Sequence, residues 1–140
     1  PYTMFIGSGA LWGETILYSM CILEEMQWKR TRYITSHDFF HGTLELLEPG
    51  VPVFLFKGED ECRELDNRVE AFLRSGVTGD EDYVIFDTAE FAIPGLDPDF
   101  RVIVSPWILT VCITDRLSRH YEMVTKHNLK YRRYYHQFDY

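Results

Sequence analysis

Tyr2-Thr3-Met4-Phe5-Ile6 runs directly into Gly7-Ser8-Gly9. An unbroken apolar run closed by glycines reads as a strand covered on both faces and ending in a tight turn. Leu11 to Trp28 follows, with no proline and with glycine only near its start, long enough for about five helical turns. Ile16, Leu17, Met20, Leu23 and Gln27 keep helical spacing, while Cys21 and Ile22 add apolar side chains beside that stripe. Such a helix is expected to be buried on several sides.

Outward from this strand–turn–helix unit the alternation continues. Arg32 to Thr35 reads as a short strand, and Ser36 or Asp38 as the cap of a short helix reaching Leu47, which Pro49-Gly50 terminates. Val51 to Phe56 is a second buried strand. Asp60 is the expected N-cap of a helix carrying the stripe Leu65, Val69, Phe72 and Leu73, stopped by Gly76. Tyr83 to Phe86 is the last strand. Asp99 to Lys126 reads as one long helix, with Pro106 either kinking it or marking its start. Strands alternating with helices predict an α/β fold, a three-layer α/β/α sandwich around a parallel sheet. Ligands of such sheets bind beyond the carboxyl ends of the strands, at a topological switch point. The Gly7-Ser8-Gly9 turn, the strand exit at Ser36 and the segment from His37 to His41 are all expected on that edge.

Composition narrows the function classes. With 46% apolar and 16% aromatic residues in 140, the chain has the material for one packed domain and is not a disordered linker. A net charge of −8 argues against a nucleic-acid surface, which needs clustered Lys and Arg. The one basic run, Lys126 to Arg133, reads as a solvated tail. Cys21, Cys62 and Cys112 are an odd number at wide spacing. They give neither a disulfide framework nor a CxxC metal site, and are expected as reduced, partly buried thiols of a cytoplasmic protein. No apolar run reaches membrane-span length and no signal peptide is read. The abrupt start in a strand, without an initiator Met, suggests a fragment.

Three groups can carry chemistry. Gly7-Ser8-Gly9 can cradle a phosphate at a helix N-terminus, although Trp12 breaks the GxGxxG pattern and a plain tight turn fits equally. Glu24-Glu25 close the apolar helix, where the macrodipole disfavours negative charge. Glu25, one turn after Cys21 and Ile22 and shortly before Trp28, is expected to be partly desolvated with a raised pKa, as suits a general base. His37 and His41 are one helical turn apart with Glu45 a turn further on, the spacing of a zinc site. Asp38 stands where a zinc hydrolase would carry its Glu, and Gly42 weakens the helix. The other reading makes His41 an acid–base group, with Phe39 and Phe40 anchoring it.

Leu23-Glu24-Glu25-Met26-Gln27-Trp28, then Ser36-His37-Asp38-Phe39-Phe40-His41-Gly42 and Glu45, resemble the second sugar isomerase (SIS) half of fructosamine-6-phosphate deglycases. These are in turn related to the isomerase domain of glucosamine-6-phosphate synthase. The Gly7-Ser8-Gly9 turn lies at the matching place upstream, and the ending from Tyr131-Arg132-Arg133-Tyr134-Tyr135 to Asp139-Tyr140 is similar to the deglycases' C-terminal tail. The resemblance covers nearly the whole chain.

It implies a flavodoxin-like SIS domain over residues 1–140, with residues 127–140 as a tail, forming the C-terminal half of a two-SIS-domain protein. The implied reaction splits a 6-phosphorylated fructosamine with water into glucose 6-phosphate and a free amine. His41 is implied as the ring-opening acid–base group, Glu25 as the carboxylate moving a proton between C1 and C2, and Ser8, Gly9, Ser36 and His37 as substrate-binding. No cofactor and no metal are implied. The histidine serves a neighbouring subunit in that family, which implies a homodimer or higher homo-oligomer. The phosphate loop belongs to the missing first half, so the isolated chain is expected to be folded but inactive. Two departures, His37-Asp38 in place of Gly-Glu and Thr43 in place of Pro, bear on which amine is released. An aldose–ketose isomerase using the same pair, and a non-catalytic sugar-phosphate sensor, are the alternatives on this fold. Tyr134, Tyr135 and Tyr140 are candidate lid residues.

Overall fold

Four strands form, β1 (Thr3–Gly7), β2 (Thr31–Ile34), β3 (Val53–Lys57) and β4 (Tyr83–Asp87), in a computed structural model that describes residues 2–139. All pair in parallel, in the order β2-β1-β3-β4. The chain therefore turns back between β1 and β3, which is the switch point. Phe5 sits opposite Tyr33 on one side and Phe54 on the other. Because side chains alternate along each strand, the sheet has two unlike faces. Met4, Ile6, Val53 and Leu55 pack under Phe39, Val69 and Leu73 on one. On the other, Phe5 and Phe56 meet Leu11, Tyr18, Leu23, Leu109 and Ile113. Rings are layered across this second face, Phe5 against Phe54 at 4.9 Å and Phe54 against Phe86 at 6.2 Å.

Helices close both faces, as the alternation predicts. Helix α1, residues 9–27, opens with a 3-10 turn Gly9–Leu11, continues as Trp12–Ile16, widens into a π segment Leu17–Glu24, and closes with Glu25–Gln27. It packs on the Phe5 face beside α4, residues 101–125, which likewise has a π segment, Ile108–Thr114, between Arg101–Trp107 and Asp115–Thr125. The Met4 face is covered by α2 (Ser36–Phe39), a 3-10 turn Thr43–Leu46, and α3 (Arg63–Phe72), which runs on into Leu73–Val77 until Gly76 at φ 85° stops it.

Four local expectations need correction, and the open one at Pro106 is decided. Thr35, not Ser36 or Asp38, caps α2, its Oγ1 accepting the Asp38 amide at 3.0 Å. That helix ends at Phe39 rather than at Leu47, because Gly42 at φ 131° bends the chain into a separate 3-10 turn. Asp60 does not cap α3; its carboxylate accepts the amides of Ala10 and Cys62 instead. Pro106 lies within α4, and the start is set by Asp97, whose side chain accepts the Asp99 amide. Cys112 is exposed rather than partly buried. An apolar stripe, Phe100, Ile103, Trp107 and Val111, also stays exposed, with Ile103 at 70% and Trp107 at 73%.

Candidate active site

A helix that starts beyond the carboxyl end of β1 must return its own C-terminus to the amino end of the sheet. Arg30, just past α1, accepts the Thr3 amide at the start of β1, so Glu25 stands at the amino edge. The helix is stopped there by Trp28 in the left-handed conformation, φ 53°, an unusual state for a bulky residue. Its ring meets the His127 ring edge-to-face at 4.4 Å and carries the Arg133 guanidinium over it at 4.3 Å. Gln27 secures the same junction: its amide donates to the His127 carbonyl at 2.7 Å and its oxygen accepts from the Thr125 hydroxyl at 2.9 Å. These contacts fold the segment after α4 back onto the end of α1.

The result is a cavity of about 610 Å³, lined by Glu24, Glu25, Trp28, Lys29, Arg30, Thr31, Arg132, Arg133, Tyr134 and Tyr135. It is of the size that holds a small ligand. Two carboxylates face four cations there, in a chain whose net charge is −8. Glu24 is occupied locally, accepting the Thr31 hydroxyl at 2.6 Å. Glu25, with 32% of its side chain exposed, pairs with Arg132 Nε at 2.8 Å. The basic run expected as a solvated tail thus supplies two walls of the cavity. Tyr134 and Tyr135 line it as well, whereas Tyr140 lies outside the described residues.

His41 belongs to a different layer. It follows α2 on the Met4 face, its amide donating to the Asp38 carbonyl at 2.9 Å. The His37 and His41 rings are both exposed, 5.1 Å apart and inclined at 50°. Glu25 and His41 are therefore not brought together within one chain, since they lie on opposite helical layers. Among the described residues no three His, Cys, Asp or Glu side chains converge as a metal site, so Glu45 does not join the histidines.

Ser8, Gly9 and Ser36 do meet at the carboxyl edge, where β1 and β2 leave the sheet. The Ser36 amide donates to Ser8 Oγ at 2.7 Å, and the Ser36 hydroxyl donates to Asp66 at 2.5 Å. Asp66 also accepts the Gly58 amide at 3.2 Å, so one buried carboxylate ties together the exits of β1, β2 and β3. Burial pushes Asp66 up to about 6, against the lowering effect of the Ser36 and Gly58 hydrogen bonds. Gly9 adopts φ +54°, and a Cβ there would overlap the Asp60 carboxylate. The adjoining cavity, about 600 Å³, is lined by Glu59, Asp60 and Glu61 together with Gly9, Ala10, Cys62 and Val102. Its charge is opposite to that of the Glu25 cavity. Next to it Lys57, 8% exposed, bridges Glu70 at 2.5 Å and Asp87 at 3.4 Å. Burial alone would raise both acids. The Lys57 and Arg74 hydrogen bonds outweigh it at Glu70, and those from Arg63 and the Ala89 amide outweigh it at Asp87, holding both below the usual carboxylate value.

Sequence reading passed over Asp66 and Arg132. Asp66 shares helical phase with Val69 and Leu73, and an acid in register with an apolar stripe is a signal of burial. Arg132 stood out only as part of the basic run and of the tail similar to that of the deglycases, with no partner assigned, because Glu25 is more than one hundred positions upstream.

Comparison with known proteins agrees with this architecture. The chain is 32% identical, over 99% of its length, to the fructosamine deglycase FrlB of Bacillus subtilis. It is 32% identical, over 81%, to the fructoselysine 6-phosphate deglycase of Escherichia coli K12. It spans about 40% and 31% of those two proteins' lengths. No protein-family model matches the chain. Among solved structures, a Bacillus subtilis protein designated a phosphosugar isomerase superposes with a TM-score of 0.92 at 27% identity, covering 99% of this chain and 41% of its own. A protein of the same designation from Salmonella typhimurium LT2 gives 0.88 at 29%, covering 99% and 42%. The C-terminal domain of glucosamine-fructose-6-phosphate aminotransferase from Francisella tularensis shares the fold, with a TM-score of 0.69 at 16% identity over 91% of this chain and 37% of its own. In sequence the chain is a homologue of proteins named fructosamine and fructoselysine 6-phosphate deglycases, and in fold it matches the SIS α/β domain of phosphosugar isomerases.

Proposed function

We propose that the chain is the second SIS half of a cytoplasmic deglycase that hydrolyses a 6-phosphorylated fructosamine to glucose 6-phosphate and a free amine. The observation that carries this reading is the cavity around Glu25. It presents a carboxylate base among four cations, in a chain homologous to deglycases over 99% of its length. Glu25 removes a proton from C1 of the open-chain sugar and returns one at C2. This converts the ketosamine to an imine at C1, which water cleaves to the aldehyde and the amine. His41 handles the proton of ring opening. Free Cys21, Cys62 and Cys112 suit a reducing compartment.

Glu25 and His41 sit on opposite layers of one chain, which favours a site shared between copies, each giving one residue. Substrate contacts from Ser8, Gly9, Ser36 and His37, and a phosphate loop in a preceding half, belong to the same proposal. The exposed stripe of Ile103, Trp107 and Val111 supports burial against another domain or copy. The names of the structural neighbours favour one second reading, an aldose–ketose isomerase with the same proton transfer but no released amine.

The test uses the protein carrying both halves, with glucose 6-phosphate release as readout. Glu25→Gln and His41→Ala should each abolish turnover while folding is retained. Co-expressed, they should recover roughly a quarter of wild-type activity, as random pairing into dimers requires. Failure of the mixture to recover any activity would sink the shared site. No glucose 6-phosphate from wild type would sink the deglycase.

A further inference from the structure

Glu25 is held by a cation that a catalytic base does not need. Arg132 Nε lies 2.8 Å from its carboxylate, and only 19% of the Arg132 side chain is exposed. The other side of the guanidinium is already committed, Nη1 donating to the Leu129 and Tyr131 carbonyls at 2.8 Å each. One edge of the fork is left for an anion, and Glu25 uses it. Carboxylates are the natural partners of that edge.

From this geometry we infer that Arg132 selects the amine part of the substrate: the α-carboxylate of a sugar-linked amino acid takes over the Arg132 edge and releases Glu25 as the free base. The inference rests on the deglycase reading. Position decides which anion of the substrate this is. Glu25 must reach C1, so whatever Arg132 holds must lie near C1. The carboxylate of an α-linked amino acid is separated from C1 only by the nitrogen and one carbon. The phosphate sits on C6, at the other end of the carbon chain, and the carboxylate of a lysine linked through its ε-nitrogen lies beyond its whole side chain. Arg30 and Lys29, which line the same cavity, remain for the more distant charge. Arg133, stacked on Trp28, keeps the segment that carries Arg132 in place. Exchange of one carboxylate for another at the Arg132 edge frees the base only when the correct amine is present.

The experiment compares 6-phosphofructosyl-glycine with 6-phosphofructosyl-methylamine, which differ only by the carboxylate, in the protein carrying both halves. Wild type is expected to favour the glycine adduct in kcat/KM by about tenfold to a hundredfold, the scale of one charge-assisted pair. Arg132→Gln should bring that ratio close to one by losing rate on the glycine adduct, and Arg132→Lys should restore part of it. Free glycine, but not methylammonium, should inhibit wild type; this holds the inference to account even if the variants fold poorly. Equal rates on both adducts in wild type, or a preference that survives Arg132→Gln, would overturn the role of Arg132 and leave the deglycase standing. No glucose 6-phosphate from either adduct would overturn both.

Discussion

The two ends of the sheet are built on opposite principles. At the carboxyl edge, polar groups are spent on one another. Ser8, Ser36 and Asp66 form a closed chain, Asp60 holds the Ala10 amide, and Lys57 lies between Glu70 and Asp87. At the amino edge, four cations and two carboxylates surround an open cavity whose principal ion pair, Glu25–Arg132, is partly exposed. In parallel α/β sheets the carboxyl edge is the usual place for a ligand. Here that edge carries an acidic cavity and a self-satisfied network, whereas the cation-lined cavity lies at the opposite end. Buried polar groups that satisfy one another fix a structure, and exposed charges that can change partners are available for chemistry.

If the contrast is real, substitutions at the carboxyl edge should cost stability and those at the amino edge should spare it. Lys57→Ala should have the largest effect, a loss of about 3 kcal/mol in denaturant unfolding, because Glu70 and Asp87 lose their shared buried counter-charge and keep only Arg74 and Arg63. A loss below about 1 kcal/mol would show that solvent reaches this network. Asp66→Ala should cost about 1–3 kcal/mol by stranding the Ser36 hydroxyl and the Gly58 amide. Gly9→Ala should cost about 2 kcal/mol, from positive φ together with overlap on Asp60.

The pH dependence sharpens the comparison further. Asp66 has a folded pKa of about 6, above its ordinary 3.8. Its favourable contribution is complete below that ordinary value and is lost as pH rises through 6. Glu70 and Asp87, held low, act in the opposite sense: their contribution is present above their ordinary values and is lost in acid. Wild type should therefore gain stability relative to Asp66→Asn as pH falls from about 7 to about 5, measured by thermal unfolding of both proteins across that range. A difference that does not change with pH would remove Asp66 as the titrating group. The smallest effect is expected for Arg132→Gln, within about 1 kcal/mol of wild-type stability, as for other partly exposed ion pairs. A larger loss would make the amino edge as structural as the carboxyl edge.

The sequence was most legible where the signal is local. β1 with its glycine turn, the α1 pattern and the stripe of Leu65, Val69, Phe72 and Leu73 each lie within one element, and hydrophobic periodicity reports them directly. The end of α2 was less legible, because Gly42 competes with a helical pattern that otherwise continues to Leu47. Glu25 was legible as a candidate from its apolar neighbours. Its actual partner was not, since nothing in a linear pattern links it to Arg132.

By itself, then, the sequence determined the alternating parallel α/β architecture, the apolar faces and the residue types able to carry acid–base chemistry. All of these follow from short-range spacing and from the alternation of strand and helix. The tertiary structure alone decided that Asp66 closes the switch point, that Glu25 and His41 occupy opposite layers, and that the basic tail folds over Glu25. Those outcomes depend on where distant segments return in space, and a parallel sheet necessarily puts the two ends of each helix at opposite edges.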